Sequence, residues 1–239
     1  MSVIWLFRHG QAGTRDDYDR LSDLGAEQAG LLGRWIASEG LKFSAVYSGE
    51  LVRQRQTATV AMEAARQAGR EMPAFEIDAM WNEFDLDMVF RGLAPLLARD
   101  DPQFRDEYEQ LMAVIRSGDR AIHRQWTRAD TAIVRAWIAG RYEFQGESWE
   151  QFQNRVSSAR LPLNGSAGDD HHIAVFTSAT PIAIWVGRAL ELTPRHILRL
   201  AGASFNTAIT MLNYSNGNLF LGQFNSVPHL SQARLRTFR

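Results

Sequence analysis

Four short stretches of this chain carry side chains able to move a phosphoryl group. The first is Arg8-His9-Gly10. A neutral imidazole is a nucleophile near neutral pH and suits attack on phosphorus. The guanidinium beside it can hold phosphate oxygens with a planar fork, and Gly10 would let a ligand approach the backbone closely. The second stretch runs from Gly49 to Ala58, where Arg53 falls in the first turn of an expected helix, near backbone N–H groups that also attract anions. The third is Trp81-Asn82-Glu83. A carboxyl group beside an aromatic ring can keep its proton near neutral pH and serve as a general acid. The fourth is Thr177-Ser178-Ala179. Taken singly, each also fits a plain structural role: a satisfied strand-end histidine, a surface arginine, a solvated glutamate. Their shared position in the expected fold sets them apart.

That position comes from the elements around them. Residues 3–7 form an unbroken apolar run that stops at Arg8, the pattern of a strand buried on both faces of a parallel sheet. In open α/β sheets, chemistry sits just past the carboxyl ends of the strands. Ser22 can cap a helix whose Leu24, Leu31, Leu32, Trp35 and Ile36 share one face, ending at Gly40. A short strand at 45–47, a helix over about 50–67 with Val52, Thr57, Val60, Ala61 and Ala64 toward the sheet, and a strand at 75–77 continue the alternation expected of parallel βαβ units. Between about 87 and 146 strands disappear, and helical spacing predicts two or three helices, broken near 117–119 and at Gly140. Beyond it come a helix over 148–158, a turn-rich loop at 164–170 and a buried strand at 173–176. Pro181 and Pro194 then mark helix starts. An Asn216-Gly217 hairpin joins residues 207–213 to 218–224. The expected fold is therefore α/β, a three-layer αβα sandwich with a mostly parallel central sheet. It forms one domain over 1–239, in which an α-helical insertion at about 87–146 serves as a cap. The arginines of the last six residues are expected to fray, with a tail folded over the site as the alternative.

Composition narrows the class. The chain has 239 residues, 45% hydrophobic and 22% charged, ordinary for a globular enzyme. Its net charge of −1 gives no global pull toward nucleic acid or an anionic membrane. Lys42 is the only lysine, and with no cysteine both disulfides and thiolate chemistry are excluded. No apolar stretch is long enough to span a bilayer, and a first strand starting almost at Met1 leaves no room for a signal peptide. The expected location is cytoplasmic.

The motifs together resemble the histidine phosphatase superfamily, also called phosphoglycerate mutase-like. The likeness runs through Leu6-Phe7-Arg8-His9-Gly10, Leu21-Ser22-Asp23-Leu24-Gly25 with Gln28-Ala29, and Tyr47-Ser48 with Leu51-Val52-Arg53 and Gln56-Thr57-Ala58. Trp81-Asn82-Glu83, Gly146-Glu147-Ser148 with Phe152 and Arg155, and Asn225-Ser226-Val227-Pro228-His229-Leu230 complete it. The resemblance implies a phosphohistidine on His9, phosphate oxygens held by Arg8 and Arg53, and Glu83 as general acid and then base. It implies a phosphate site that also touches Gly10, Ser178 and Ala179, a small phosphorylated substrate or phosphate as partner, and no metal or other cofactor. One position departs from it. Family members usually carry a second histidine after the late strand, and Ser178 stands there. An ionised donor bonds a phosphoryl oxygen about twice as strongly as a neutral one, and losing one such donor costs on the order of 3 kcal/mol.

The preferred reading is a metal-independent phosphomonoesterase. The alternative is a catalytically weak relative that binds a phosphorylated ligand or protein without turnover. A mutase ranks below both, because sugar-phosphate mutases of this family follow the glycine with Glu-Ser where this chain has Gln11-Ala12-Gly13-Thr14. The other histidines point to no metal site. His171 and His172 are adjacent on a strand and face opposite ways, while His123 and His196 lack partners at ligand spacing. His229 suits packing or support of the site from behind. Arg120, Arg124 and Arg128 recur at helical spacing and read first as a solvated face, with a substrate-facing role as the lesser alternative. No motif specifies the natural substrate or the oligomeric state.

Overall fold

The apolar run of the first strand becomes the centre of a six-stranded sheet. The computed structural model describes residues 1–13, 19–116, 127–163 and 171–238. The expected break at 117–119, the loop at 164–170, and residues Thr14, Arg120, His123, Arg124 and Arg239 lie outside them. Strands β1 (Ser2–Arg8), β2 (Ala45–Ser48), β3 (Phe75–Ile77), β4 (His171–Thr177), β5 (Ile209–Ser215) and β6 (Asn218–Ser226) lie in the order β3-β2-β4-β1-β5-β6. Pairing is parallel from β3 through β1 and antiparallel for β5 and β6. All seven residues of β1 are buried, as its unbroken hydrophobicity requires. Val3, Trp5 and Phe7 pack with Leu32 and Ile36 of α1 (Asp23–Ser38) and with Ala58, Ala61 and Met62 of α2 (Val52–Gln67). The alternate residues Ile4 and Leu6 face the other way, the side of α7 (Ala179–Ala189), which is buried almost all round. Helices on both sides of a mostly parallel sheet are the α/β architecture that the sequence predicts.

Local chemistry explains most element ends. The Ser22 side chain accepts from the Gly25 N–H and starts α1 as expected. Asn216 and Gly217 have φ of 50° and 83°, the paired positive values of a two-residue hairpin turn between β5 and β6. Strand β5 starts two residues later than the sequence suggests, because Thr207 has a φ of 53° and its N–H turns to the His9 carbonyl. Helix α2 begins at Val52 rather than residue 50, with Leu51 before it in a non-helical conformation at ψ 137°. Its buried face is also rotated from the expected one and holds Arg53, Gln54, Thr57, Ala58, Ala61, Met62 and Ala65.

Among the described residues, those within 1–13, 17–83 and 155–239 form one compact unit and those within 84–154 a second. The second holds α3 (Leu86–Asp100), α4 (Pro102–Arg116) and α5 (Arg128–Ile138). The boundary between α3 and α4 is marked locally by Asp101, whose side chain accepts the Phe104 N–H, and by Pro102 at the first helical position. Within this unit Phe84, Trp137, Trp149 and Phe152 form an aromatic cluster with centroid distances of 4.7 to 5.9 Å. Helices α6 (Trp149–Ser157) and α8 (Pro194–Ala203) complete the helical set, the latter opening at Pro194 as expected. Among the described residues, no helix is long and apolar enough to cross a membrane.

The C-terminal segment does not fray. Arg234 pairs with Glu27 at 2.9 Å, and Arg236 donates to the Leu230 carbonyl. The Asn206 N–H reaches the Thr237 carbonyl at 2.7 Å, and the Gln28 amide donates to Leu235 O and Thr237 Oγ1. A chain end with that many long-range bonds is ordered by them, whatever its local composition.

Candidate active site

The carboxyl end of β1 delivers Arg8 and His9 into the unit's interior, 6% and 2% exposed. Both backbone groups of His9 are held: its N–H donates to Thr177 O at 2.8 Å, and its carbonyl accepts from Thr207 N and Asn206 Nδ2, each at 3.2 Å. The imidazole Nδ1 lies 2.7 Å from the Gly10 carbonyl. A carbonyl can only accept, so Nδ1 carries the proton and the Nε2 lone pair is left for other work. Burial, and then the charges of Arg53 and Arg8, push the His9 pKa well below its ordinary value, against a smaller opposing pull from the Gly10 carbonyl. The ring is thus neutral at physiological pH, the form in which imidazole is nucleophilic.

The two arginines reach this histidine from different elements. The Arg8 guanidinium is steadied by main-chain carbonyls, with Nη1 donating to Ser204 O and Nη2 to Phe238 O at 2.8 Å. The docked C-terminal segment therefore forms part of the Arg8 surroundings. Arg53, in the first turn of α2 and 6% exposed, donates through Nη1 to Asp19 Oδ1 at 2.9 Å. The other Asp19 oxygen accepts the Val52 N–H at 3.0 Å, closing the start of the helix. Arg55, two residues on, points to solvent.

Gly10 has a packing role that the sequence did not suggest. A Cβ there would lie 2.5 Å from Gly25 O, so the missing side chain lets β1's end cross the start of α1. Its N–H is spent on Thr57 Oγ1 at 3.0 Å, and that hydroxyl donates in turn to Arg53 O at 2.7 Å. Gly10 thereby ties the nucleophile's strand to the helix that carries Arg53.

Glu83 follows a one-turn 3₁₀ segment (Ala79–Trp81) after β3. Its Oε2 accepts the Thr180 N–H at 3.1 Å, which fixes the carboxylate at the N-terminus of α7, beside Ser178 and Ala179. Trp81, whose ring the sequence argument sets beside this carboxyl, is fully buried and stacks on Trp185 at 5.3 Å. Arg155 Nη1 donates to the carbonyls of Ala79, Met80 and Asn82 at 3.0 to 3.3 Å and holds the loop from outside. Ser178 is 1% exposed, and its Oγ accepts from Gln54 Nε2 at 2.9 Å.

The structure thus gathers His9, Arg8, Arg53, Glu83, Ser178 and Ala179 at one sheet edge. Sequence reasoning passed over Asp19, Gln54 and Asn206. Gln54 and Thr57 occupy the buried face that Arg53 defines, a helical-spacing signal that was there to be read. Asp19 lies in a polar stretch with no periodicity. Three further histidines have structural bonds: His172 Nδ1 accepts from Trp5 Nε1 at 3.1 Å, His196 bonds Thr193, and His229 bonds Thr207. Arg128, first residue of α5, is exposed as expected. Among the described residues no three His, Asp or Glu side chains are grouped to hold a metal ion.

The profile of the histidine phosphatase superfamily (branch 1) matches residues 4–116 and 116–227. In sequence the chain is similar to a 2,3-bisphosphoglycerate-dependent phosphoglycerate mutase of Methylorubrum populi, 35% identical over 78 residues. That match takes in 29% of this chain and 36% of the mutase, so the chain spans little more than a third of the curated relative's length. In fold it is similar to Bacillus stearothermophilus YhfR, with 16% identity, coverage of 97% of this chain and 100% of that one, and a TM-score of 0.63. It is also similar to an Entamoeba histolytica phosphoserine phosphatase mutant in complex with phosphoserine, with 17% identity, 96% and 100% coverage, and a TM-score of 0.58. At such identities the likeness to the solved structures is one of fold.

Proposed function

Because the chain belongs to the histidine phosphatase superfamily, we propose that it is a metal-independent phosphatase that hydrolyses a small phosphomonoester through a phosphohistidine on His9. The observation that carries this reading is the fixed tautomer of the buried ring: Nδ1–H is committed to Gly10 O, leaving Nε2 unprotonated among cations. In the first step the Nε2 lone pair forms a bond to phosphorus as the bond from phosphorus to the substrate oxygen breaks. Protonated Glu83 gives its proton to that leaving oxygen. In the second step water attacks the phosphohistidine, Glu83 takes the water's proton, and phosphate leaves with neutral His9 restored. Arg8 and Arg53 supply donors for the phosphoryl oxygens in both transition states. Ser178 adds one neutral donor, and Ala179 lies beside it at the start of α7.

The test is covalent trapping. Incubation with ³²P-labelled phosphoester, with chelator present and absent, followed by a quench without acid should leave label that is acid-labile and base-stable. His9→Ala should fold normally and take no label, and undiminished turnover by that variant would remove the mechanism. Glu83→Gln should slow alkyl phosphates roughly a hundredfold but nitrophenyl phosphate less than about tenfold, since a good leaving group needs little protonation. Equal losses would assign Glu83 a structural part. The partial likeness to a phosphoglycerate mutase supports a second reading, in which the phosphohistidine returns its phosphoryl group to a phosphoglycerate. Interconversion of the two phosphoglycerates without net phosphate release would favour it.

A further inference from the structure

A fully buried glutamine determines where the Ser178 proton can go. Gln54, on the buried face of α2, is 0% exposed. Its Nε2 lies 3.1 Å from the Trp81 carbonyl and 2.9 Å from Ser178 Oγ, and its Oε1 lies 3.3 Å from the Leu51 N–H. A main-chain carbonyl can only accept, so the amide nitrogen must face Trp81. The same nitrogen then spends its second proton on Ser178, which is thereby forced to accept. Gly49 leaves room for this arrangement, because a Cβ at that position would come within 2.0 Å of Gln54 Oε1.

A serine hydroxyl that accepts from Gln54 keeps its own proton to donate. Among the described residues the Ser178 hydroxyl makes no such donation, and the nearby Trp81 carbonyl already has both lone pairs taken, by Thr177 Oγ1 and Gln54 Nε2. A buried donor without an acceptor is rare unless a ligand completes it. Residue 178 directly follows Thr177, whose carbonyl takes the His9 N–H, so the unmatched donor lies at the nucleophile's edge of the sheet.

We infer that Gln54 is a positioning residue that turns the Ser178 hydroxyl outward as a hydrogen-bond donor to the phosphoryl group. Accepting a bond also makes that hydroxyl a stronger donor. The inference rests on the phosphohistidine reading and adds to it the device by which a neutral serine serves that site. The same amide bonds the loop that carries Glu83, so α2, the acid loop and the start of α7 are held in one register by a single side chain.

Gln54→Glu tests this, because a carboxylate fills the same volume but reverses the bond: Ser178 must then donate to residue 54 and loses its proton to the ligand. Turnover of nitrophenyl phosphate is measured for the native protein, Ser178→Ala, Gln54→Glu and the double variant, with folding checked by thermal melt. Ser178→Ala should lower kcat/KM by up to roughly tenfold, and Gln54→Glu by at least as much. In the Gln54→Glu background Ser178→Ala should cost less than about twofold. Activity of Gln54→Glu relative to native should also rise toward acid pH, as its carboxyl regains a proton to donate. Should Gln54→Glu fail to fold, Gln54→Met replaces it, and Ser178→Ala should again cost less there than in the native protein. An equal cost in both backgrounds would overturn the inference while leaving the phosphohistidine reading intact. Native turnover that His9→Ala leaves unchanged, or no turnover at all, would overturn both.

Discussion

The two units of the chain bury different things. The helical unit is closed by apolar and aromatic side chains. Asp130 is its one buried polar side chain among the described residues, and there it completes the N-terminal cap of α5 with Thr127. The α/β unit buries Arg8, His9, Gln28, Arg53, Gln54, Thr57, Ser178 and Asn206, and bonds them to one another, to main chain or, for Arg53, to Asp19. Burying such groups costs stability unless every one finds partners. The contrast teaches that polar burial in this molecule follows the candidate chemistry and not the general need to close a core. It also implies opposite responses to substitution: stability without chemistry in one unit, chemistry with little stability in the other.

Trp137→Ala should show the largest effect. The ring is 3% exposed, sits in the four-ring cluster and donates to the Glu147 carbonyl at 2.9 Å. Removing it should cost about 3–5 kcal/mol of stability, read by chemical denaturation, while kcat/KM of the remaining folded protein changes less than about threefold. A large loss of activity with little loss of stability would break the contrast.

Arg53→Ala should do the reverse. Loss of a phosphate clamp is expected to lower kcat/KM by about a hundredfold or more and to weaken inhibition by orthovanadate in parallel. The melting temperature should barely fall, because removing a buried guanidinium also removes its desolvation cost and Asp19, half-exposed, can turn to water. Arg55→Ala serves as the control and should change both quantities less than about threefold. Equal effects at the two positions would mean that the buried face of α2 does not meet the phosphate.

The smallest effect is one of pH. Burial pushes the His229 pKa down from 6.5 to about 4. Between those values the unfolded chain takes up a proton that the folded chain refuses. The stability involved is therefore complete above about pH 6.5, falls as pH drops toward 4, and changes no further below it. At pH 5 the loss comes to about 2 kcal/mol. His229→Gln should shrink the difference in unfolding free energy between pH 7 and pH 5 by about that amount. His9, depressed in the same direction, should keep some acid dependence in place. An unaltered pH dependence would show that His229 titrates as an exposed histidine does.

Several features needed only local sequence. The apolar run ending at Arg8, the Ser22 cap, the Asn216-Gly217 turn and the proline at the start of α8 each depend on a few consecutive residues, whose backbone preferences act before any tertiary contact exists. The same holds for Arg53 in a first turn and for His9 at a strand end. The α3–α4 boundary at Asp101-Pro102 was equally local, yet the expected breaks near 117–119 and at Gly140 passed it over. The packing role of Gly10 was not local, because the backbone it makes room for belongs to Gly25 on another element. Neither was the docking of the C-terminal segment, since the Phe238 carbonyl meets a guanidinium 230 residues away in the chain. Gln54 and Ser178 are separated by 124 residues, and nothing near either one says which of them donates. That direction is set by the Trp81 carbonyl, a third element with an acceptor and no donor. Residue types and their place along a strand or helix are local properties of the chain. The direction of a hydrogen bond, and with it the chemistry left to a buried side chain, depends on every neighbour that folding brings into reach.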